Sequence, residues 1–223
     1  MPAEPFQAAR VAGRARLVLL RGAGGDGSTY YLNATEHVAG RDAGAILFPD
    51  DPTVSPEHAN FHYTNGRLYV MDLDSANGTY IRLRGEVPLE HGDRFVCGEQ
   101  MFEFRRVPEV VNQWVEDTCM AGSPAPEGGE YQLVQVLAGN RPGLLRTFAG
   151  VSTTLGREGC TLSFPTDRFM SHEHSRVRRS GEHWVLEDAG SKNGTYYRIR
   201  DAVGLQDGDT LFLGKQLLRV EID

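Results

Sequence analysis

Asn77-Gly78-Thr79-Tyr80 returns 116 residues later as Asn193-Gly194-Thr195-Tyr196. Working outward, Gly40-Arg41 returns at the same offset as Gly156-Arg157, and Ser55-x-x-His58 as Ser171-x-x-His174. Gly92-Asp93 and Gly98 return as Gly208-Asp209 and Gly214. A fixed offset with no gap marks a duplicated unit, and its length is that of a whole domain, too long for a solenoid repeat. The repeats span 15–108 and 130–223, after a 1–14 tail and around a 109–129 linker. Ser123-Pro124-Ala125-Pro126-Glu127-Gly128-Gly129 has flexible-linker composition. Val110, Val111, Trp114 and Val115 are spaced either for a short helix or for an irregular strand extension.

Within each repeat, short stretches rich in β-branched, aromatic or alternating apolar residues are separated by Gly, Asn, Asp and Pro. Strands are expected at Arg16–Leu20, Ser28–Leu32, Ala59–Tyr63, Leu68–Asp72, Thr79–Leu83 and Gln100–Arg105. In the second repeat they are expected at Tyr131–Val136, Ser175–Arg179, Trp184–Glu187, Thr195–Ile199 and Gln216–Ile222. The fold class is therefore all-β, two antiparallel β-sandwich domains joined by a short linker.

Composition narrows the function. The chain has 223 residues, 40% hydrophobic and 24% charged, which suffices for packed cores. A net charge of −7 argues against a general nucleic-acid binder, whose affinity rests on clustered Lys and Arg. No apolar run approaches a membrane span or a signal-peptide core, so a cytoplasmic location is expected. Cys97, Cys119 and Cys160 are odd in number and far apart, and read as reduced thiols. No phosphate-binding glycine loop, nucleophile elbow or paired acid/base motif occurs, so neither enzyme activity nor a cofactor is expected.

Gly-Arg, then Ser-x-x-His, then Asn-Gly, in this order and twice over, resembles the forkhead-associated (FHA) domain family across most of the chain. The resemblance implies a β-sandwich whose end loops grip phosphothreonine. Arg41 and Arg157 match the family's phosphate-binding arginine, whose planar fork suits paired, charge-assisted bonds. Ser55 and Ser171 match the serine that donates to a phosphate oxygen, and Asn77 and Asn193 the asparagine that grips the ligand's main chain. His58 and His174 match an architectural histidine, and Gly40, Gly156, Gly78 and Gly194 the structural glycines. In several family members the residues after the serine and before the asparagine also meet the ligand. These are Pro56 and Ala76 in the first repeat, where donors are missing, and His172 and Lys192 in the second, where both donate.

Charge ranks the repeats the same way. The first carries 9 Lys+Arg against 13 Asp+Glu, with Asp42, Asp50, Asp51 and Glu57 in its candidate loops; the second carries 12 of each. The expected function is a phosphothreonine-dependent adaptor acting after a Ser/Thr kinase, with the second repeat the stronger reader and threonine-phosphorylated proteins as partners. The alternative is a phosphate-independent scaffold. A metal at His172 and His174 lacks further ligands in the sequence. Arg82/Arg84 and Arg198/Arg200 either extend the peptide groove or form a solvated strand face.

Overall fold

The computed structural model describes residues 15–22, 27–107, 114–122 and 128–222. The 1–14 tail, Val110, Val111 and the Ser123–Glu127 part of the linker lie outside them. The first repeat lays down β1 (Ala15–Arg21), β2 (Thr29–Leu32), β3 (Glu36–Gly40), β4 (Ile46–Leu47), β5 (Ala59–Thr64), β6 (Arg67–Asp72), β7 (Thr79–Arg82), β8 (Val87–Leu89), β9 (Arg94–Cys97) and β10 (Gln100–Arg106). A small hairpin follows, β11 (Trp114–Val115) with β12 (Thr118–Cys119). The second repeat gives β13 (Tyr131–Leu137), a 3₁₀ turn (Ala138–Asn140), β14 (Arg141–Phe148), β15 (Ser152–Gly156), β16 (Leu162–Ser163), β17 (Ser175–Ser180) and β18 (His183–Asp188). It ends with β19 (Thr195–Arg198), β20 (Val203–Gly204), β21 (Thr210–Leu213) and β22 (Gln216–Ile222).

The strands form because their side chains alternate at the two-residue period of the pleat. In β1, Ala15, Leu17 and Leu19 are buried while Arg16 and Val18 are partly exposed. Among the described residues there is no α-helix, and no helix is long and apolar enough to cross a membrane. Trp114 and Val115 are strand residues, not helical, and both are exposed. Two short parallel pairs, β3 with β4 and β15 with β16, interrupt the otherwise antiparallel pairing.

The strands assemble two compact units. Unit 1 is the chain up to Arg82 together with Arg198–Asp223; unit 2 is Leu83–Tyr197. Unit 1 has one sheet in the order β20-β6-β5-β3-β4 and a second in the order β7-β21-β22-β1-β2. Unit 2 has β8-β18-β17-β15-β16 and β19-β9-β10-β13-β14. Each unit is a sandwich of five strands on five.

The units therefore differ from the repeats 15–108 and 130–223 expected to be separate domains. The repeats exchange their last three strands: β20, β21 and β22 complete unit 1, while β8, β9 and β10 complete unit 2. The physical reason lies in the duplication itself. In unit 1, Ala15 pairs with Ile222 and Leu17 with Val220; in unit 2, Tyr131 pairs with Arg106 and Leu133 with Phe104. Shifted by the repeat offset, these registers are the same, so the last strands of either repeat fit the first strands of either.

Both repeats supply each core. In unit 1, Leu17, Leu32, Phe61 and Val70 pack in one buried cluster with Leu211, Leu213, Leu218 and Val220. In unit 2, Phe95, Phe102 and Phe104 pack with Tyr131, Leu133, Leu155, Val177 and Leu186. Each such side chain contributes about 1.5–3 kcal/mol by leaving water. A buried carboxylate locks each exchange. Asp51 accepts from the Lys215 backbone N–H at 2.9 Å and from Gln216 Nε2 at 2.6 Å. Asp167 accepts from the Glu99 backbone N–H at 2.8 Å and from Gln100 Nε2 at 2.9 Å.

Candidate functional site

The residues singled out in the sequence fall on the loops at one end of each sandwich. In unit 2, Arg157 follows β15, Ser171 and His172 precede β17, and Lys192 and Asn193 lie between β18 and β19. Backbone and side-chain bonds join these three loops. The Arg157 N–H donates to Ser171 O at 2.8 Å. The Lys192 N–H donates to Ser171 Oγ at 3.0 Å, and Asn193 Nδ2 donates to Phe169 O at 2.7 Å. Ser171 accepts in this arrangement, so its own hydroxyl proton remains available to a ligand.

Unit 1 repeats the pattern. The Arg41 N–H donates to Ser55 O at 2.9 Å. The Ala76 N–H donates to Ser55 Oγ at 3.0 Å, and Asn77 Nδ2 donates to Thr53 O at 2.7 Å.

The two histidines sit beneath these loops, fully buried. His58 Nδ1 accepts from the Ser55 N–H at 3.0 Å, which leaves Nε2 as the donor to Gly78 O at 3.1 Å. His174 does the same with the Ser171 N–H and Gly194 O, both at 3.0 Å. One ring thus ties the serine loop to the Asn-Gly turn. Burial lowers the His58 pKa, consistent with a neutral ring. Because both nitrogens of His174 are engaged, it has no lone pair to share with a metal alongside His172.

The glycines are explained by space and by backbone angle. A Cβ on Gly40 would stand 2.0 Å from Pro56 O, and one on Gly156 would stand 2.0 Å from His172 O. Gly78 and Gly194 hold φ of 82° and 85°, which a side chain disfavours.

The two arginines differ. Arg157 is exposed, and among the described residues its guanidinium has no hydrogen-bond or ion-pair partner. Arg41 is half-buried and held by its neighbour: Nε donates to Asp42 Oδ1 and Nη2 to Asp42 Oδ2, each at 3.2 Å. That bond and charge raise the Arg41 pKa. Of the acidic residues expected around this site, Asp42, Asp50 and Glu57 are exposed, but Asp51 is not. It is buried and committed to the exchanged strands.

The sequence did not reveal two neighbours of the unit 1 site. Asp42 is one of four acids in the candidate loops, and its place directly after Arg41 is the sequence signal for direct pairing. Arg198 comes from the other repeat, and its side chain covers Gly78, where an added Cβ would meet Nε at 2.3 Å. Only the strand exchange brings it there.

The FHA domain family profile matches residues 37–98 and 153–214, together more than half of the chain. The chain belongs to the FHA domain family. It is 36% identical over 99 residues to the oxoglutarate dehydrogenase inhibitor of Corynebacterium efficiens, a match covering 44% of this chain and 69% of that protein. It is 35% identical over 114 residues to the glycogen accumulation regulator GarA of Mycobacterium tuberculosis, covering 50% and 67%. The solved FHA domain of an Arabidopsis thaliana hypothetical protein aligns over 99% of this chain and 94% of its own, at 12% identity and a TM-score of 0.41.

Proposed function

We propose that this protein is a phosphothreonine-dependent adaptor that docks on proteins after a Ser/Thr kinase has acted, with unit 2 as the principal reader. The observation that carries this reading is the exposed Arg157 guanidinium, without a partner among the described residues, on a loop bonded to the Ser171 loop. Phosphothreonine brings about −1.5 to −2 charges and three acceptor oxygens at neutral pH. Arg157 offers it a planar fork, Ser171 a hydroxyl, and the exposed His172 and Lys192 further donors beside them. Asn193 braces its turn through Nδ2 and keeps its amide oxygen for a ligand N–H.

Two relatives carry the names inhibitor and regulator, in keeping with a protein that acts by binding. The adaptor reading needs no catalytic group of this chain. The test is an oriented phosphothreonine peptide pool titrated into the full chain. Phosphorylated peptides should bind and their unphosphorylated counterparts should not. Equal binding of the two pools would instead favour a phosphate-independent scaffold.

A further inference from the structure

We infer that Asp42 is the specificity-determining residue of unit 1, an internal carboxylate that occupies the phosphate-binding edge of Arg41 and holds a second phosphothreonine site closed. The inference rests on the proposed reading of these loops. Arg41 presents Nε and Nη2 to the two oxygens of Asp42, each at 3.2 Å. This is the paired geometry in which a guanidinium meets two oxygens of a phosphate, so ligand and Asp42 compete for the same donors.

The rest of the unit 1 loop end remains in place. Ser55 keeps its hydroxyl proton, Asn77 occupies the position equivalent to Asn193, and His58 joins the loops as His174 does in unit 2. The counterpart of Asp42 is Glu158, whose carboxylate forms no ion pair with Arg157 among the described residues. Among the described residues, the state of the arginine is therefore set by one acidic side chain: Arg41 is paired and Arg157 is not. A phosphate dianion entering unit 1 must break the ion pair and then lie beside the displaced carboxylate.

A surface ion pair is weak and screened by salt, so release of Arg41 is expected to tighten binding at most about fivefold. The experiment uses the full chain with unit 2 silenced by Arg157→Ala. A fluorescent degenerate phosphothreonine peptide pool is titrated into R157A and into R157A/D42N, followed by anisotropy. The double variant should bind about fivefold more tightly at low salt, and adding Arg41→Ala should erase the gain. The unphosphorylated pool should show no gain.

Equal affinity of R157A and R157A/D42N, with the wild-type chain binding the pool, would overturn the role of Asp42 and leave the adaptor reading standing. Binding by none of the three would overturn both. Inorganic phosphate followed at the Arg41 Nε–H resonance gives an independent readout. Saturation should come at about fivefold lower phosphate in D42N, and superimposable titrations would sink the proposal.

Discussion

Unit 1 and unit 2 share strand order, register and loop bonding, yet the arginines at their loop ends are in different states. Among the described residues, the arginine of unit 2 is exposed and unpaired, while that of unit 1 is folded onto an aspartate. Unit 2 has His172 after its serine, whereas unit 1 has Pro56, which lacks a backbone N–H. The architecture of this end resides in buried residues, the histidine and the glycines, and both repeats have them. The chemistry resides in exposed residues, and there the repeats differ. A shared scaffold therefore says little about whether a given copy reads phosphate.

The largest effect should come from the shared architecture. His58→Ala or His174→Ala removes two loop-joining bonds and opens a buried space, costing about 3 kcal/mol in either unit by denaturant unfolding. A cost confined to one unit would break the equivalence of the scaffolds. Next comes the difference in chemistry. Arg157→Ala should weaken phosphopeptide binding at least tenfold by calorimetry, because charge-assisted bonds contribute roughly 1.5–3 kcal/mol each. Arg41→Ala should change it far less, and equal losses would remove the ranking of the units.

A smaller effect is expected at Tyr131, buried in unit 2, where the hydroxyl donates to Thr153 and burial pushes its pKa to about 12. Tyr131→Phe should cost about 1 kcal/mol. Ala15, its counterpart in unit 1, has no such bond to lose.

Acid should separate the units most gently. Burial lowers the pKa of both His37 and His58 in unit 1, and unit 2 has Thr153 in place of His37. A histidine whose folded pKa lies below its unfolded value of about 6.5 favours the fold above that pH. Its contribution fades as pH falls from there through the folded pKa, since the unfolded chain then binds more protons. Amide protection factors should fall in β3 and β5 before β15 and β17 as pH is lowered. Simultaneous loss of protection in both pairs would contradict this.

The sandwich and its loop residues were legible because they depend on local patterns. Alternation in Arg16–Leu20 and Gln216–Ile222 marks strands, and Asn-Gly marks a turn with positive φ. The edge strand β14 is not among the expected strands; its Pro142 and Gly143 break the strand pattern in the sequence and are tolerated at a sheet edge. Asp51 looked like a surface acid because its partners, Lys215 and Gln216, lie in the other repeat. The exchange itself could not be read. A duplicated sequence specifies which strand joins which, but two equivalent copies leave open which copy supplies it. For the same reason Arg198 could not be placed beside Gly78.

The reciprocal loan of strands also changes what a break in the backbone would do. In a pair of independent beads, one cut between them sets each free. Here a protease site engineered into 123–127 would yield an N-terminal fragment holding β1 to β12 and a C-terminal fragment holding β13 to β22. Neither contains a whole unit: β1 needs β22, and β13 needs β10. The nicked protein should elute from a sizing column as a single particle in native buffer and resolve into two bands once denatured. The two halves act as each other's folding template, joined by sheet hydrogen bonds and common cores after the peptide link is gone.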